Sequence, residues 1–408
     1  SGQLHTQKIK VISEVVDMFL NLSHLEIKPS KGSTSPAFIH APEANRLMDL
    51  FGEWLIEACC REDQGFAEGR YSAYVTLCKI MCQKCSQPIK KRYLAEFYRV
   101  VHLGLTSAST PKVVEAIILH SSRVFSLGHS GVNMLVPSYV KAIEPILRDN
   151  SSSTEALRIA AIHAIVSIIS LVYFYADVTF PLLDGEKEQD NEEKAGMRSA
   201  KRLRGKICQI LLGAVQDSRS AECQIKCFWG LVQVIMKELT QQKSASSVKF
   251  ILESLLSFIM DKNEKVAIAS HYAIMSLAHL DLLQYIDESN IRSIVMQICQ
   301  VITSTLNEGR LVRGTIIVHL FYTLVEIMVY LPKGILEQVP ICQSLFDAIT
   351  AGLVAKSKGA DNDAPVANSA KKPVKQDKPS SSASKQKTVT TIKDENAKNI
   401  AEAAEVLL

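Results

Sequence analysis

"CKIMCQKC", residues 78–85, places Cys78, Cys82 and Cys85 in a C-x3-C-x2-C array. Three thiolates at that spacing can hold three irons of a [4Fe–4S] cluster and leave the fourth open for S-adenosylmethionine. The same three positions, i, i+4 and i+7, also fall on one face of an α-helix. The residues before them decide between the two. "GRYSAYVTLCKIMC", 69–82, sets Tyr74, Leu77, Cys78 and Met81 on much the same stripe, and free cysteine packs as a small buried hydrophobe. A radical enzyme needs alternating strands and helices to carry the array on a barrel loop, and none flank it. A structural zinc site would need a fourth ligand at a characteristic spacing, and none is present. The reading is a helix with core cysteines and no metal.

The rest of the chain repeats that pattern. "QKIKVISEVVDMFLNLSHL" aligns Ile9, Ile12, Val16, Phe19 and Leu20. "EANRLMDLFGEWLIEACC" aligns Leu47, Leu50, Phe51, Trp54 and Leu55. "KRYLAEFYRVVHLGL" aligns Tyr93, Phe97, Val100 and Val101. All follow the helical i, i+3, i+4, i+7 template. Further helices are expected over roughly 110–126, 133–148, 154–176, 197–216, 220–240, 246–260, 264–280, 289–307, 313–331 and 340–355. Breaks are short: Thr110-Pro111 caps and opens a helix, Gly128 and Gly131 punctuate, and Asp149-Asn150-Ser151 turns. Helix pairs recurring at about 40 residues match the period of HEAT or armadillo arrays. The fold class expected is all-α, a HEAT/armadillo-like α-solenoid over 1–355. A disordered Lys/Ser/Pro-rich linker, 356–393, and the start of a further helix, 394–408, follow it. The linker carries nine lysines against three aspartates and no aromatic residue, too little apolar surface to offset the entropy of ordering.

The 408 residues are 47% hydrophobic and 22% charged, as in soluble globular chains. The formal charge of +4 resides in the linker. The helical body is near neutral and lacks the electrostatic excess of a nucleic-acid binder. Ten cysteines do not make the dense framework of a small secreted domain. No signal segment opens the chain, so a reduced, cytoplasmic setting is expected despite glycosylation-type triplets at Asn21-Leu22-Ser23 and Asn150-Ser151-Ser152. "IAAIHAIVSIISLVYFYA", 159–176, barely reaches membrane-spanning length and reads as a buried central helix. The acidic "DGEKEQDNEEK", 184–194, reads as a solvated loop and the basic "RSAKRLRGK", 198–206, as decoration of the next helix.

No catalytic constellation emerges. His129-Ser130 in "LGHSGVN" is not a nucleophile elbow and no strand leads into it. His163, His271 and His319 fall in apolar helices, where most histidines are packed and hydrogen-bonded. Glu144, Asp149 and Glu155 are turn and helix-end carboxylates. Nucleotide- and metalloprotease-type motifs are absent. No catalytic, cofactor-binding or metal-binding residue and no cofactor is assigned. Physics alone leaves a helical array that binds proteins along an extended surface; a generic HEAT-type adaptor in trafficking or transport satisfies it.

Six stretches go further. In order they are "LFGEWLIEA" (50–58), "FAEGRYSAYVTLCKIMC" (66–82), "YLAEFYRVVHLGL" (93–105), "VVEAIILHSSRVFSLGHSGVNMLVPSYVKAIEPIL" (113–147), "EALRIAAIHAIVSIISL" (155–171) and "LRGKICQILLGAVQ" (203–216). Together they resemble the N-terminal helical region of Ral GTPase-activating protein beta subunits, most clearly over about 50–216. The chain departs from that pattern at the short link "REDQG" (61–65) and beyond about residue 240. In the family, cysteines stand at the positions of 78 and 82 without the third. An alpha and a beta subunit pair to raise GTP hydrolysis on Ral-type small GTPases. Catalysis there comes from a separate C-terminal α/β domain, related to the Rap GTPase-activating domain, that supplies an asparagine. The resemblance therefore implies a non-catalytic scaffold region. Its partner would be the alpha subunit, its contact with a Ral-type GTPase indirect, and neither nucleic acid nor a membrane span would be involved.

Overall fold

The computed structural model describes residues 2–22, 26–27, 37–38, 42–106, 111–149, 153–174, 192–242, 246–280, 282–308, 313–331, 333–360 and 382–407. It is all-α. The only strand pairing among the described residues is a two-residue antiparallel contact, Glu26–Ile27 with Ala37–Phe38. Several sequence expectations lie outside these residues: the Thr110 cap, Ser23 and Asn150-Ser151-Ser152 of the triplets, the acidic stretch through 191, and linker residues 361–381.

Inter-residue contacts divide the chain into two compact units, Ser1–Gly230 and Leu231–Leu408. The first holds α1 (Gly2–Asn21), α2 (Ala44–Cys60), α3 (Ala67–Met81), α4 (Lys91–Thr106), α5 (Pro111–Ser121), α6 (Val136–Arg148), α7 (Glu155–Phe174) and α8 (Glu192–Asp217). The division falls within α9 (Ala221–Gln242). The second unit continues with α10 (Ser246–Ser257), α11 (Glu264–His279), α12 (Glu288–Asn307), α13 (Gly314–Tyr330), α14 (Lys333–Leu336), α15 (Val339–Ala360) and α16 (Ser382–Leu407).

In the first unit α3 packs against α1, α2, α4 and α5. Tyr74, Leu77, Cys78, Ile80 and Met81 are sealed from solvent, because apolar residues surround most of the helix. Several of its polar groups are paired: Tyr74 OH donates to the Val100 carbonyl (3.1 Å), Thr76 Oγ1 bonds Ser13 Oγ (2.7 Å), and Lys79 meets Asp17 (2.7 Å). Buried polar groups left unpaired would cost about 1–3 kcal/mol each. A second aromatic anchor, Tyr139 on α6, is buried with its hydroxyl 2.6 Å from Ser121 Oγ.

Two expectations need correction here. The first concerns α3, which ends at Met81 with Cys82 as its C-cap, so Cys85 does not share the helical face of Cys78. The link after it contains Pro88, and the residue before a proline is pushed out of the α region. Side chains of α2 then hold that link. Asn45 Nδ2 donates to the Pro88 carbonyl (3.0 Å), Lys90 N–H donates to Asn45 Oδ1 (2.9 Å), and Ser86 N–H donates to Glu43 (3.1 Å). The second concerns α2. Its buried arc, Ala44, Leu47, Met48, Leu55, Ala58 and Cys59, is centred near Leu55. At 100° per residue Trp54 and Leu50 lie roughly 100° and 140° from that centre, and both are exposed, at 57% and 63%. An apolar arc wider than the contacted face left its edge in solvent.

α7 is the described stretch long and apolar enough to cross a membrane, over Glu155–Tyr173. Here it lies among α5, α6 and α8, burying Ile162, Ile165, Ile168, Ile169 and Val172. His163, expected to be packed, instead faces solvent.

In the second unit α13 and α15 are covered by α16. A later helix of the same chain thus covers part of the apolar stretch 313–355. Gly352 explains the close approach. A Cβ built there would stand 2.7 Å from Ala404 Cβ and 2.9 Å from the Phe321 ring. Ala397, Ala401 and Ala404 give α16 a matching small-residue face, with Ile400 buried beside them. The boundaries expected at 355 and 393 fall inside α15 and α16.

Candidate functional site

None of the groups weighed as chemical in the sequence assembles into a reacting centre among the described residues. All ten cysteines are free thiols. Burial pushes the Cys78 thiol well above its ordinary range and Cys82 up to about 12, and it also raises Cys85. The thiolate is the nucleophile and metal ligand, and burial disfavours it here. No group of three or more His, Cys, Asp or Glu is placed to hold a metal among the described residues. His129 serves a structural end: its Nε2 is 3.0 Å from the Met81 carbonyl, satisfying the last turn of α3. Glu144 is held by Arg148 and Lys206, each at 2.6 Å, and Glu155 accepts from the Ser220 hydroxyl. His271 is buried, its Nε2 2.9 Å from the Ile259 carbonyl, and burial lowers its pKa to about 4.

What the first unit does present is a groove of about 650 Å3 along α4. α4 buries Tyr93, Phe97, Val100, Val101 and Gly104 inward. The groove lies over the opposite stripe, where Lys91, Ala95, Arg99 and His102 are exposed at helical spacing, with Leu94 and Tyr98, themselves buried, at its edge. The facing wall is the 3-10 turn Val132–Leu135 and the start of α6. Three features hold that wall in place. Gly131 adopts φ +79°, a left-handed conformation that other residues rarely take. Tyr98 OH donates to the Ser130 carbonyl (3.0 Å), and His102 Nδ1 lies 2.8 Å from Ser138 Oγ.

The Ser138–His102 pair has two parts of a nucleophilic dyad, which the sequence reading did not pair. Its surroundings do not complete one. Among the described residues no carboxylate lines the groove to orient the imidazole, and Ser138 is only 7% exposed. The pair ties α4 to α6. The floor is apolar, through Leu94, Tyr98, Leu135 and the 60%-exposed Met134. The rim is basic, through Lys91, Arg99 and Lys141. Arg99 is paired with Glu96 of its own helix at 2.7 Å.

A second surface lies on α1 and α2. Leu4, Val11 and Met18, seven residues apart on α1, are each more than half exposed, as are Leu50 and Trp54. A groove of about 680 Å3 runs between Leu4, Lys8, Val11, Trp54, Glu57 and Arg61. Its charges are mixed, and Arg61 is already paired with Glu57. In the second unit Val339 and Phe346 stand outward on α15.

The chain is related in sequence to Ral GTPase-activating protein subunits. It is 29% identical over 225 residues to the mouse Ral GTPase-activating protein subunit alpha-2, covering 54% of this chain and 11% of that protein. The human subunit beta is 24% identical over 251 residues, 46% of this chain and 17% of the relative. A Rap-GAP domain-containing protein of Dictyostelium discoideum is 22% identical over 342 residues, 76% of this chain and 20% of the relative. The chain thus spans about a tenth to a fifth of the length of these relatives. Both subunit classes are represented, so the relationship extends beyond the beta subunit to which the sequence pointed. No family model matches the chain, and no solved structure matches it.

Proposed function

We propose that this chain is a non-catalytic scaffold region of a Ral GTPase-activating complex, built as a HEAT/armadillo-like solenoid. It acts in the cytoplasm, with α7 as a core helix rather than a membrane span. It contacts the complementary subunit, the alpha subunit on the beta-like reading, and reaches a Ral-type GTPase only through the assembled complex. The observation that carries this reading is the relationship to alpha and beta subunits over about half to three-quarters of the chain. The exposed apolar stripes of α1 and α2 and the α4–α6 groove support it, since arrays of paired helices bind partners along such surfaces.

The test has two arms. The full 408-residue chain, co-expressed with the alpha subunit of the same organism, should co-purify with it as one species on size exclusion. The chain alone should leave single-turnover GTP hydrolysis by Ral at its intrinsic rate, because γ-phosphate chemistry needs positioned polar groups and the sequence offers no recognised motif to present them. Failure to retain the alpha subunit overturns the pairing, and rate enhancement by the chain alone overturns the non-catalytic role.

A further inference from the structure

We propose that the exposed apolar face of α1 and α2 docks a second copy of this chain, the two α1 helices lying antiparallel across a two-fold axis at Val11. The inference goes beyond the pairing proposed above and concerns a different partner.

Spacing comes first. Leu4, Val11 and Met18 are 56%, 58% and 55% exposed. At 100° per residue, Leu4 and Met18 lie about 20° to either side of Val11. Each stands about 10.5 Å from it along the helix axis. The stripe is therefore symmetric about Val11. A copy turned end for end at that point sets Leu4 against the copy's Met18, Met18 against its Leu4, and Val11 against its Val11. An isologous interface requires this kind of self-match, and a seven-residue apolar repeat is the spacing at which helices pair along a seam.

Area comes next. Trp54 borders the stripe in the α1–α2 groove, and Leu50 stands one turn before it on α2; they are 57% and 63% exposed. With the α1 stripe, these side chains offer roughly 400 Å2 of apolar surface. A standard interface of about 800 Å2 per partner has a non-polar share of roughly 450 Å2. The face is thus of the size a stable dimer needs. Charge permits the same occupant. Lys8 and Glu14 stand three residues to either side of Val11, and Glu57 and Arg61 at the groove are paired with each other. Both signs border the seam, so the face meets no single-sign field when turned on itself. The platform is also fixed in advance. From behind, α1 is tied to α3 by Lys10 with Glu68 (3.0 Å), Ser13 with Thr76 (2.7 Å) and Asp17 with Lys79 (2.7 Å). Pre-organisation lowers the ordering cost of association.

The test is sedimentation equilibrium of the full 408-residue chain across the micromolar range. It should show a monomer–dimer equilibrium that closes at two copies. Val11→Glu sets two like charges against each other on the axis and should weaken the dimer roughly tenfold or more. Val11→Leu should keep it. Val11 is exposed, so both variants should fold, as circular dichroism would verify. Orientation is read from two double variants that lose the same apolar contacts. In the antiparallel arrangement Leu4→Lys with Met18→Glu places opposite charges together, whereas Leu4→Lys with Met18→Lys opposes like charges. The first should dimerise more tightly than the second, and the advantage should shrink as salt is raised. Met134→Glu, in the α4–α6 groove, should leave the dimer unchanged. A chain that stays monomeric, a dimer indifferent to Val11→Glu, equal behaviour of the two double variants, open-ended assembly, or loss of the dimer through Met134→Glu would each overturn the proposal. So would a chain that is monomeric alone and loses the alpha subunit through Val11→Glu, since the face would then belong to that subunit. Co-purification with the alpha subunit is a separate readout, so absence of the self-dimer leaves the proposed complex standing, and loss of the complex leaves the dimer result standing.

Discussion

α3 in the first unit and α16 in the second each pack against neighbouring helices of their own unit, four for α3 and two for α16, yet they use different residues to do it. α3 contributes Tyr74, Leu77, Ile80 and Met81, large side chains that fill the space between helix axes. Hydrogen bonds from Tyr74 and Thr76 then fix its rotation and height. The described face of α16 contributes Ala397, Ala401, Ala403 and Ala404, with Ile400 as its one large buried residue. There the helices approach until Gly352 leaves no room for a methyl group. Bulky interfaces tolerate small adjustments by rotamer change, whereas a backbone-close interface has no side chain to move aside. The difference teaches where each unit is fragile: in cavity formation for α3, in overpacking for α16.

The sharpest way to break the comparison is to remove α16 by ending the chain after residue 381. Burial of Ile400 and the four alanines is worth on the order of 5 kcal/mol. Its loss should strip amide-exchange protection from α13 and α15 and promote self-association, while α3 and its neighbours keep theirs. Retained protection in α13 and α15 would mean that α16 is not structural.

Acid should separate the units next. His271 is buried, with Nε2–H donating to the Ile259 carbonyl and Nδ1 buried without a hydrogen-bond partner. Its folded pKa is lowered to about 4, chiefly by desolvation, against about 6.5 unfolded. Between those values the unfolded chain binds the extra proton, so stability falls as pH drops and is unaffected well above pH 7. From pH 7 to 5 the loss should be on the order of 2 kcal/mol, read as reduced exchange protection around α11. A His271→Asn variant should show a flatter pH dependence. An unchanged slope would show that the proton goes elsewhere.

The smallest effect tests packing at one methyl. Gly352→Ala should cost about 1–2 kcal/mol by overpacking, measured by urea denaturation. Ala404→Gly added to it should recover part of that loss, because the two carbons compete for one space. Independent, additive effects in the double-mutant cycle would show that α15 and α16 do not meet as closely as Gly352 requires.

Much of the fold was legible in advance, because a period of 3.6 apolar residues is a local property. The stripe Ile9, Ile12 and Val16 on α1, and Tyr93, Phe97, Val100 and Val101 on α4, are buried as the spacing predicts. The groove was not legible, although Lys91, Leu94, Tyr98 and His102 stand at helical spacing in plain view. Reading α4 for its core face hid the opposite one, and the facing wall comes from residues 130–141, folded back by two left-handed glycines, Gly128 and Gly131. Cys85 escaped for a related reason: C-x3-C-x2-C continues a helical period on paper, and only the Pro88 link held by Asn45 and Glu43 shows that the helix has stopped.

By itself, the sequence determined that this chain is helical, where most of its helices lie, and that it is related to Ral GTPase-activating protein subunits. These follow from local periodicity, turn residues and the order of recognisable stretches, all written along one dimension. Only the tertiary structure decided which side of a wide apolar arc is covered, as at Trp54 and Leu50. It also decided that α16 folds onto α13 and α15, and that Ser138 and His102 meet. Those outcomes depend on which helices become neighbours. A side chain's burial and partners are set by surfaces arriving from distant parts of the chain, and helical spacing carries no information about which surface arrives.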